Sequence, residues 1–314
     1  MLIFHIQEIG LLAKTQRSLV LSGKEEHVWE LELDNFAVFG SRYGAPIRVK
    51  YSNNEAGRLR ESASKYLLPV AFFAILVIVW EYSVNALDVP AFLLPSPTEI
   101  AGAFVKYGDV LVANTFVTLE EILIGFILGA GAGLLLGIAI AYSKVMSRVL
   151  YPLAIFVKTI PIVAIAPLLT LWFGFGIWSK VVCVSLVSFF PLVVSTALGL
   201  KSADPALIDL FHSLSASEIQ IFFKARLPGS IPYIFSALKI AVTVSVIGAV
   251  VAEFVGSTKG LGYLALLAIS YIETAEMFAI LIMLAVLGLV LFALVSFAEK
   301  MFAPWAENLE TQTV

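Results

Sequence analysis

The sequence predicts an all-α integral membrane protein with six membrane-spanning helices. Of its 314 residues, 60% are hydrophobic and only 14% are charged, whereas an ordinary soluble domain carries about 25% charged residues. The apolar residues are also concentrated in runs that exceed the roughly 18–20 residues a helix needs to cross a bilayer. A helix satisfies its own backbone hydrogen bonds in lipid, which is why such runs indicate helices.

Six apolar segments are long enough to form these spans. An even number of spans places both termini on the same side of the membrane. The single cysteine, Cys183, lies within the fourth segment, and we expect it to be a small buried apolar side chain. The predicted spans cover residues 66–84, 113–142, 149–173, 178–200, 231–255 and 275–297.

Basic residues are unevenly distributed among the segments that join these spans. With the N-terminus in the cytoplasm, the inner segments hold fifteen Lys and Arg residues and the outer segments three; without the N-terminal tail the ratio is six to three. Because cytoplasmic loops carry an excess of Lys and Arg, we expect both termini in the cytoplasm, together with the polar segment 201–230.

The first 65 residues differ in composition from the rest of the chain. They lack the continuous apolar region and small-residue cleavage site of a signal peptide. Alternating apolar and polar residues at 28–33 indicate a short strand or hairpin. We interpret residues 1–65 as a cytoplasmic extension, either loosely ordered or folded into an accessory element.

Glycine recurs at every fourth position in the second span, which places four glycines on one helix face. Helices in lipid associate by close packing, and glycine lets two backbones approach. The pattern indicates either tight contact with a neighbouring span or, as the alternative, contact with a transported solute. The four residues are Gly125, Gly129, Gly133 and Gly137.

The third span is interrupted by proline. Pro161 and Pro167 each remove a helix hydrogen bond, and such breaks are tolerated at membrane depth only where protein or a water-lined cavity satisfies the freed groups. Lys158 in the same span is either a functional group of a translocation path or a side chain that reaches the membrane edge. Glu253, near the end of the fifth span, either lines an outer vestibule or caps a helix end. These four residues are candidates for a translocation path.

The polar segment 201–230 has an apolar periodicity that a simple connecting loop does not need. Its apolar residues recur at helical spacing in two groups, which predicts two short amphipathic helices at the membrane edge. Such helices are suited to docking against another protein. The two groups are Leu207, Leu210, Phe211 and Leu214, and then Ile219, Phe222 and Phe223.

The chain lacks the motifs of an enzyme that would drive transport itself. No phosphate-binding GxxxxGK[ST] loop occurs, no HExxH motif or cluster of Cys and His has metal-ligand spacing, and no nucleophile and base stand at a recognisable spacing. We therefore expect a transport pathway that binds no metal or cofactor, has no nucleic-acid partner and is not an enzyme.

The polar segment resembles the cytoplasmic loop of permease subunits in binding-protein-dependent ABC importers. The signature of that family is Glu-Ala-Ala, three residues, Gly, nine residues and Ile-x-Leu-Pro. Here Asp209, Leu210 and Phe211 stand at the first three positions, Ser215 stands at the glycine, and ARLP at 225–228 ends the signature. The spacing matches throughout, although the identities in the first half are relaxed.

Further stretches resemble the nitrate, sulfonate, taurine and pyrimidine-precursor branch of that family. The resemblance covers residues 66–305, a permease domain followed by a C-terminal tail at 306–314. The ETAEMF stretch favours the riboflavin or hydroxymethylpyrimidine type. The matching stretches are LLPSPTEI at 93–100, TIPIVAIAPLLTLWFGFGIWSK at 159–180, TKGLGYLALLAIS at 258–270 and ETAEMFAI at 273–280.

The resemblance implies the fold of a type I importer permease with a coupling helix at about 202–215. It also implies a permease homodimer in the cell (inner) membrane, cytoplasmic ATPase subunits that use ATP and Mg²⁺, and an extracytoplasmic substrate-binding protein that delivers a small polar solute. Nine residues are assigned to ATPase coupling: Asp209 and Glu218 for polar register, Phe211, Leu214 and Ile219 for apolar docking, Leu227 and Pro228 for the entry angle of the fifth span, and Leu210 and Ser215 within the coupling helix and its turn.

One departure from the family pattern and two alternative functions stay open. Family members use glycine where the chain turns sharply between the two short helices, because glycine tolerates a positive φ. Ser215 has to make this turn at a cost in energy or with a different geometry. The alternatives are a secondary transporter driven by an ion gradient and a membrane scaffold or sensor that docks a cytoplasmic partner.

Overall fold

The structure is a computed structural model that describes the backbone of residues 55–304 and the side chains of residues 67–304. The chain forms two units, residues 1–75 and 76–314. The described part of the first unit is helical backbone from Glu55 onward. The strand predicted at 28–33 and most of the N-terminal extension and C-terminal tail lie outside the described residues.

The described residues are mostly helical, and five of the ten α-helices have 25 residues or more. A π-helical turn, Phe222–Arg226, joins the short helix Glu218–Ile221 without a break to the long helix that begins at Leu227, and Pro228 is the second residue of that helix. The helices are α1 (Glu55–Ala86), α2 (Pro97–Tyr142), α3 (Lys144–Lys158), α4 (Ile162–Phe173), α5 (Ile177–Lys201), α6 (Pro205–Ser213), α7 (Glu218–Ile221), α8 (Leu227–Gly256), α9 (Leu261–Ser270) and α10 (Thr274–Phe302).

Five apolar helices of the described region are long enough to cross a membrane. The pair α3 and α4 corresponds to the third predicted span and brings the number of spans to six. The third predicted span is interrupted, as its prolines indicate: α3 and α4 are bent by 98° relative to each other. The break falls at Thr159–Pro161. Pro161 has no N–H to continue the helix, and it stands as the N-cap of α4. Pro167 lies within α4 without ending it.

The helix that contains the second predicted span begins well before that span. The helix starts at Pro97 rather than near residue 113, and it extends over 46 residues. Ser96 accepts a hydrogen bond from the Glu99 N–H and Glu99 accepts one from the Ser96 N–H, so a capping box fixes the start. The first half of α2 contains the polar residues Lys106, Asp109 and Asn114. A prediction based on uninterrupted apolar runs therefore did not include it.

Helix α5 lies at the centre of the bundle, packed against α2 on one side and α8 on the other. The glycine face of α2 makes the first of these contacts. A Cβ atom on Gly133 would lie 2.6 Å from the carbonyl oxygen of Phe189, and one on Gly137 would lie 2.6 Å from Cβ of Thr196. Gly125 faces Val184 and Gly129 faces Ser185 in the same way. Only glycine permits this separation of the two helices.

The segment predicted as the last external loop contains a short helix, α9. At 10 residues it is too short to span a bilayer. Its buried side chains pack against α2, α8 and α10 in the largest apolar cluster of the bundle. They are Leu261, Leu264, Ala265 and Ala268.

We predict that Gly133→Ala destabilises the bundle by about 1–3 kcal/mol, because the added methyl group meets backbone that cannot yield. The free energy of unfolding of the full chain in detergent tests this. Gly131→Ala is the matched control, since nothing lies within 4 Å of its Cβ position on the same helix. Equal stability of the two variants would contradict the assigned contact.

Candidate functional site

The polar segment forms one separate helix rather than two. Helix α6 covers Pro205–Ser213, shorter than the predicted coupling helix, and Asp204 caps it by accepting a hydrogen bond from the Ala206 N–H at 2.9 Å. The second group of apolar residues lies in α7 and the π-helical turn, which lead directly into α8. The prediction of a second independent helix was therefore wrong, because the backbone continues helically from Glu218 to Gly256.

Helix α6 has no buried side chain. Leu210 is 54% exposed and Leu214, just after the helix, is 71% exposed, while Phe211 is half-buried. Asp209 is exposed on the same helix. Apolar side chains at spacings of three and four residues share one helix face. An apolar stripe is thus presented outward at the end of the bundle where α5 ends and α8 begins. At 3.6 residues per turn, Asp209 lies on the other side of the helix from this stripe.

Ser215 adopts the left-handed conformation, with φ of 57°. Its N–H donates to the His212 carbonyl at 2.9 Å, and the Ala216 N–H donates to the Phe211 carbonyl at 3.0 Å. These two bonds form a Schellman motif, in which the left-handed position is usually glycine. Ser215 therefore makes this turn with a side chain, which adds an energetic cost of about 1–2 kcal/mol.

The residues after this turn are held by their own capping interactions. The Gln220 N–H donates to the Ser217 hydroxyl and the Ser217 N–H donates to the Gln220 side chain, so a capping box starts α7. Glu218 and Ile219, two of the predicted coupling residues, are exposed at this start. Leu227 and Pro228 are half-buried at the first turn of α8.

Two aromatic contacts join the polar segment to the end of α2. The Tyr142 and Phe222 rings lie 5.9 Å apart between centroids, and the Arg226 guanidinium lies 5.3 Å from the Tyr142 ring centroid. A cation at this distance from an aromatic face is attracted to it. Sequence reasoning missed Tyr142 and Arg226 because the contact joins residues far apart in the chain.

The four candidates for a translocation path lie in different surroundings. Lys158 and Pro161 are exposed at the bend between α3 and α4, and Pro167 is exposed on α4. Glu253 is fully buried in the last turn of α8. It belongs to a group of buried polar side chains, here called the buried polar centre, that consists of Thr118, Glu121, Lys180 and Glu253.

The buried polar centre caps the start of α9. The four N–H groups at a helix start have no partner within the helix, and Gly260, the N-cap of α9, has no side chain to supply one. Side chains of two other helices accept all four bonds. Asn114 accepts from Gly260 at 2.7 Å, Thr118 accepts from Leu261 at 2.8 Å, and Glu253 accepts from Gly262 and from Tyr263, the latter at 3.4 Å.

Lys180 donates hydrogen bonds to backbone carbonyl groups at the ends of neighbouring helices. Its ammonium donates to the Phe175 carbonyl at 2.7 Å, to the Gly176 carbonyl at 3.1 Å and to the Gly256 carbonyl. The first two belong to the connection between α4 and α5, and the third to the end of α8. An ammonium has three hydrogens, so these bonds use its full capacity. Lys180 is only 2% exposed.

The distance along the helices places the buried polar centre at one edge of the membrane core. At 1.5 Å per residue, Glu121 and Tyr142 are separated by about 31 Å along α2, and Lys180 and Lys201 by the same distance along α5. The hydrocarbon core is about 30 Å thick. The buried polar centre and the polar segment 201–230 therefore lie about one membrane core apart, at opposite ends of the bundle.

Sequence reasoning did not identify the buried polar centre as a unit. Glu121 and Lys180 are single charges near the ends of apolar segments, where snorkelling side chains are common. Thr118 carries no signal in the sequence. Their relationship arises only when α2, α5 and α8 pack together. Among the described residues, no group of three or more His, Cys, Asp or Glu is arranged to hold a metal ion.

We predict that Thr118→Val destabilises the protein by about 3 kcal/mol. The substitution keeps the shape but leaves the buried Leu261 N–H without an acceptor and removes a 2.7 Å donor from Glu253. The free energy of unfolding in detergent measures the effect, and hydrogen exchange at 260–263 localises it. Thr115→Val is the control, since the Thr115 hydroxyl donates only to its own helix, at the Leu111 carbonyl. Equal losses in both variants would contradict the capping role.

The family described as "Binding-protein-dependent transport system inner membrane component" matches residues 129–308, which include the polar segment and the start of α9. Among solved structures, the MetNI methionine ABC transporter in inward-facing conformations has a chain that aligns with a TM-score of 0.54 and 20% identity, over 64% of this chain and 98% of that one. This likeness supports the fold of a type I importer permease.

Several curated relatives match over most of their length. The formylaminopyrimidine transport permease protein ThiX of Halalkalibacterium halodurans is 36% identical over 77% of this chain and 97% of its own. The riboflavin transport system permease protein RibX of Chloroflexus aurantiacus is 33% identical over 76% and 89%. The putative aliphatic sulfonates transport permease protein SsuC of Bacillus subtilis is 31% identical over 82% and 95%. The chain therefore belongs to the family of binding-protein-dependent transport system inner membrane components, as an ABC importer permease of the sulfonate, pyrimidine and riboflavin branch.

Proposed function

We propose that this chain forms the membrane path of an ATP-driven importer and couples to a separate ATPase through the polar segment 201–230. The observation that carries the proposal is the exposed apolar stripe of α6, which protrudes from the bundle at the family's signature position. An apolar face of this kind needs a partner that covers it. Asp209, exposed on the other side of the same helix, provides a charge that fixes the register of docking.

Two connections can transmit a movement of α6 to the bundle, one along the chain and one through side-chain contacts. Along the chain, α7, the π-helical turn and α8 form one continuous helical segment. Across space, Arg226 and Phe222 contact Tyr142 at the end of α2. A displacement of the docked loop therefore acts on α8 directly and on α2 through Tyr142, and this supports coupling of ATP binding to the rearrangement of the spans.

The distribution of basic residues supports an orientation with both termini in the cytoplasm. In this orientation α6 faces the cytoplasmic ATPase, and the buried polar centre and α9 face the opposite side, where a substrate-binding protein delivers its cargo. ATP and Mg²⁺ are used by the ATPase subunits and not by this chain.

A second copy of this chain completes the path. An apolar groove between α8 and α10 supports this part of the proposal. Gly288 lies in the groove, and a small residue there permits the close approach of another helix. The groove is lined by Val246, Ile247, Val250, Leu284, Gly288 and Phe292.

The transported solute is proposed to be a small polar molecule of the class that includes pyrimidine precursors, riboflavin and sulfonates. The names of the relatives support this class. Ligand binding by the partner substrate-binding protein, measured with a formylaminopyrimidine, riboflavin and an alkanesulfonate, tests the choice within it.

We predict that Phe211→Asp combined with Leu214→Asp weakens binding of the partner ATPase at least tenfold. Each substitution replaces an apolar docking contact, whose burial contributes about 1.5–3 kcal/mol, with a carboxylate. Co-purification of the detergent-solubilised complex and ATP-dependent uptake measure the effect. Ala206→Asp combined with Ser213→Asp adds the same charge to α6 outside the stripe and is the control. Undiminished complex formation and uptake in the first variant would contradict the proposed docking.

We predict that Ser215→Gly stabilises the turn after α6 by about 1–2 kcal/mol, because glycine adopts the left-handed conformation without a steric cost. Hydrogen exchange of residues 205–216 should slow accordingly. Ser213→Gly, within α6, should have the opposite sign, since glycine in a helix costs about 1 kcal/mol. Faster exchange in Ser215→Gly would contradict the Schellman geometry.

A further inference from the structure

Helix α3 carries its charges and its large apolar side chains on different sides. It has 15 residues and contains no Asp or Glu. At 3.6 residues per turn, its basic residues lie within about 80° of one another around the helix axis. Apolar residues at spacings of four, four and three form a stripe on the neighbouring side, here called the α3 stripe. This division is typical of a helix at a membrane surface. The basic residues are Lys144, Arg148 and Lys158, and the α3 stripe consists of Val145, Val149, Leu153 and Phe156.

The bundle covers only one side of α3. Ala154 is the buried residue of this helix, and Leu150 packs on Ile140 and Val193 of the neighbouring helices. The residues of the α3 stripe, by contrast, are 53–71% exposed. An apolar surface of this extent, which no described helix covers, requires an apolar environment outside the bundle.

A further cation joins Lys144 and Arg148 at the start of α3. The ammonium of Lys201, the last residue of α5, donates to the Ser147 hydroxyl at 3.3 Å. Ser147 is adjacent to Arg148 in the chain and one turn beyond Lys144, so the three basic side chains surround the same turn of α3. All three are exposed, and none of them forms an ion pair within residues 67–304. Their charges are therefore available to an anion.

These charges lie at the membrane edge. Lys201 stands about one membrane core from Lys180 along α5, and α3 begins directly after Ser143, the residue that caps the end of α2. At about 22 Å, α3 is too short to cross a core of about 30 Å, and it is bent by 98° from α4. The α3 stripe extends about 16 Å from Val145 to Phe156. Because α4 continues across the core from the far end of α3, the stripe leads from the level of the lipid phosphates towards the acyl chains.

We propose that the start of α3 is a binding site for an anionic phospholipid, in which Lys144, Arg148 and Lys201 bind the headgroup phosphate and an acyl chain packs along the α3 stripe. Phosphate oxygens accept charge-assisted hydrogen bonds from Lys and Arg. A zwitterionic headgroup carries its own cation, which the three basic side chains repel, so the site favours a lipid with a net negative charge. Neither the transported solute nor the ATPase takes part in this site.

Lipid binding to the full chain in a neutral detergent, measured by native mass spectrometry, tests the headgroup contacts. Phosphatidylglycerol should bind at least tenfold more tightly than phosphatidylcholine with the same acyl chains. Each basic residue near an anionic surface contributes about fivefold in affinity, so Lys144→Gln combined with Arg148→Gln should weaken phosphatidylglycerol binding at least tenfold. Lys106→Gln combined with Lys259→Gln removes the same charge at the opposite end of the bundle and is the control. Equal affinity for the two lipids, equal weakening in the two variants, or displacement of the lipid by an equal concentration of inorganic phosphate would overturn the proposal.

The accessibility of a spin label on the α3 stripe distinguishes lipid from other surroundings. The single native cysteine, Cys183, is buried, so Val149→Cys can be labelled selectively in the full chain. In phosphatidylglycerol vesicles we expect this label to collide with oxygen, which dissolves in lipid, and rarely with a water-soluble nickel complex. Ala206→Cys on exposed α6 is the control and should show the opposite behaviour. Access of the nickel complex to residue 149 would indicate a water-filled path, and shielding from both reagents would indicate a covering protein segment. Either result would overturn the proposal.

Discussion

Helices that end inside the bundle leave backbone N–H and C=O groups without a hydrogen-bond partner in the helix. Other protein groups have to bind them, because an apolar environment supplies no water. Glu253 and its neighbours Thr118 and Asn114 accept the four N–H groups at the start of α9. Lys180 donates to three carbonyls where α8 ends and α4 joins α5. These side chains connect α2, α5, α8 and α9, so the packing of the central helices at this end depends on them.

The two ends of the bundle have opposite physical characters. At the buried polar centre, the charged side chains are almost entirely enclosed, and Lys180 and Glu253 have hydrogen-bond partners on other helices. About one membrane core away, α6 has no buried side chain and is held at its ends by Asp204 and by the Schellman turn at Ser215. Between the ends, the glycines of α2 bring it close to α5. Such a bundle is suited to transmit a displacement of the exposed loop rather than to absorb it.

The membrane class, most spans and the position of the polar segment could be predicted from sequence because they depend on local signals. Apolar runs identify spans, and the fourfold glycine spacing identifies a packing face without naming its partner. The first half of α2 was missed because packing rather than hydrophobicity buries it. The 98° bend between α3 and α4 could be anticipated at Pro161 only as a break, not as an angle. The buried polar centre could not be predicted, because Thr118, Lys180 and Glu253 meet only through tertiary packing.

The proposed coupling to an ATPase requires that a bundle closed by buried charges at one end carries an exposed docking helix at the other. Hydrogen exchange of the full chain, alone and in complex with its ATPase, tests this most directly. The amides of 260–263 should exchange slowly in both states, whereas those of 205–216 should exchange rapidly in the free chain and slowly in the complex. Rapid exchange at 260–263, or unchanged exchange at 205–216 in a complex that has formed, would contradict the claim.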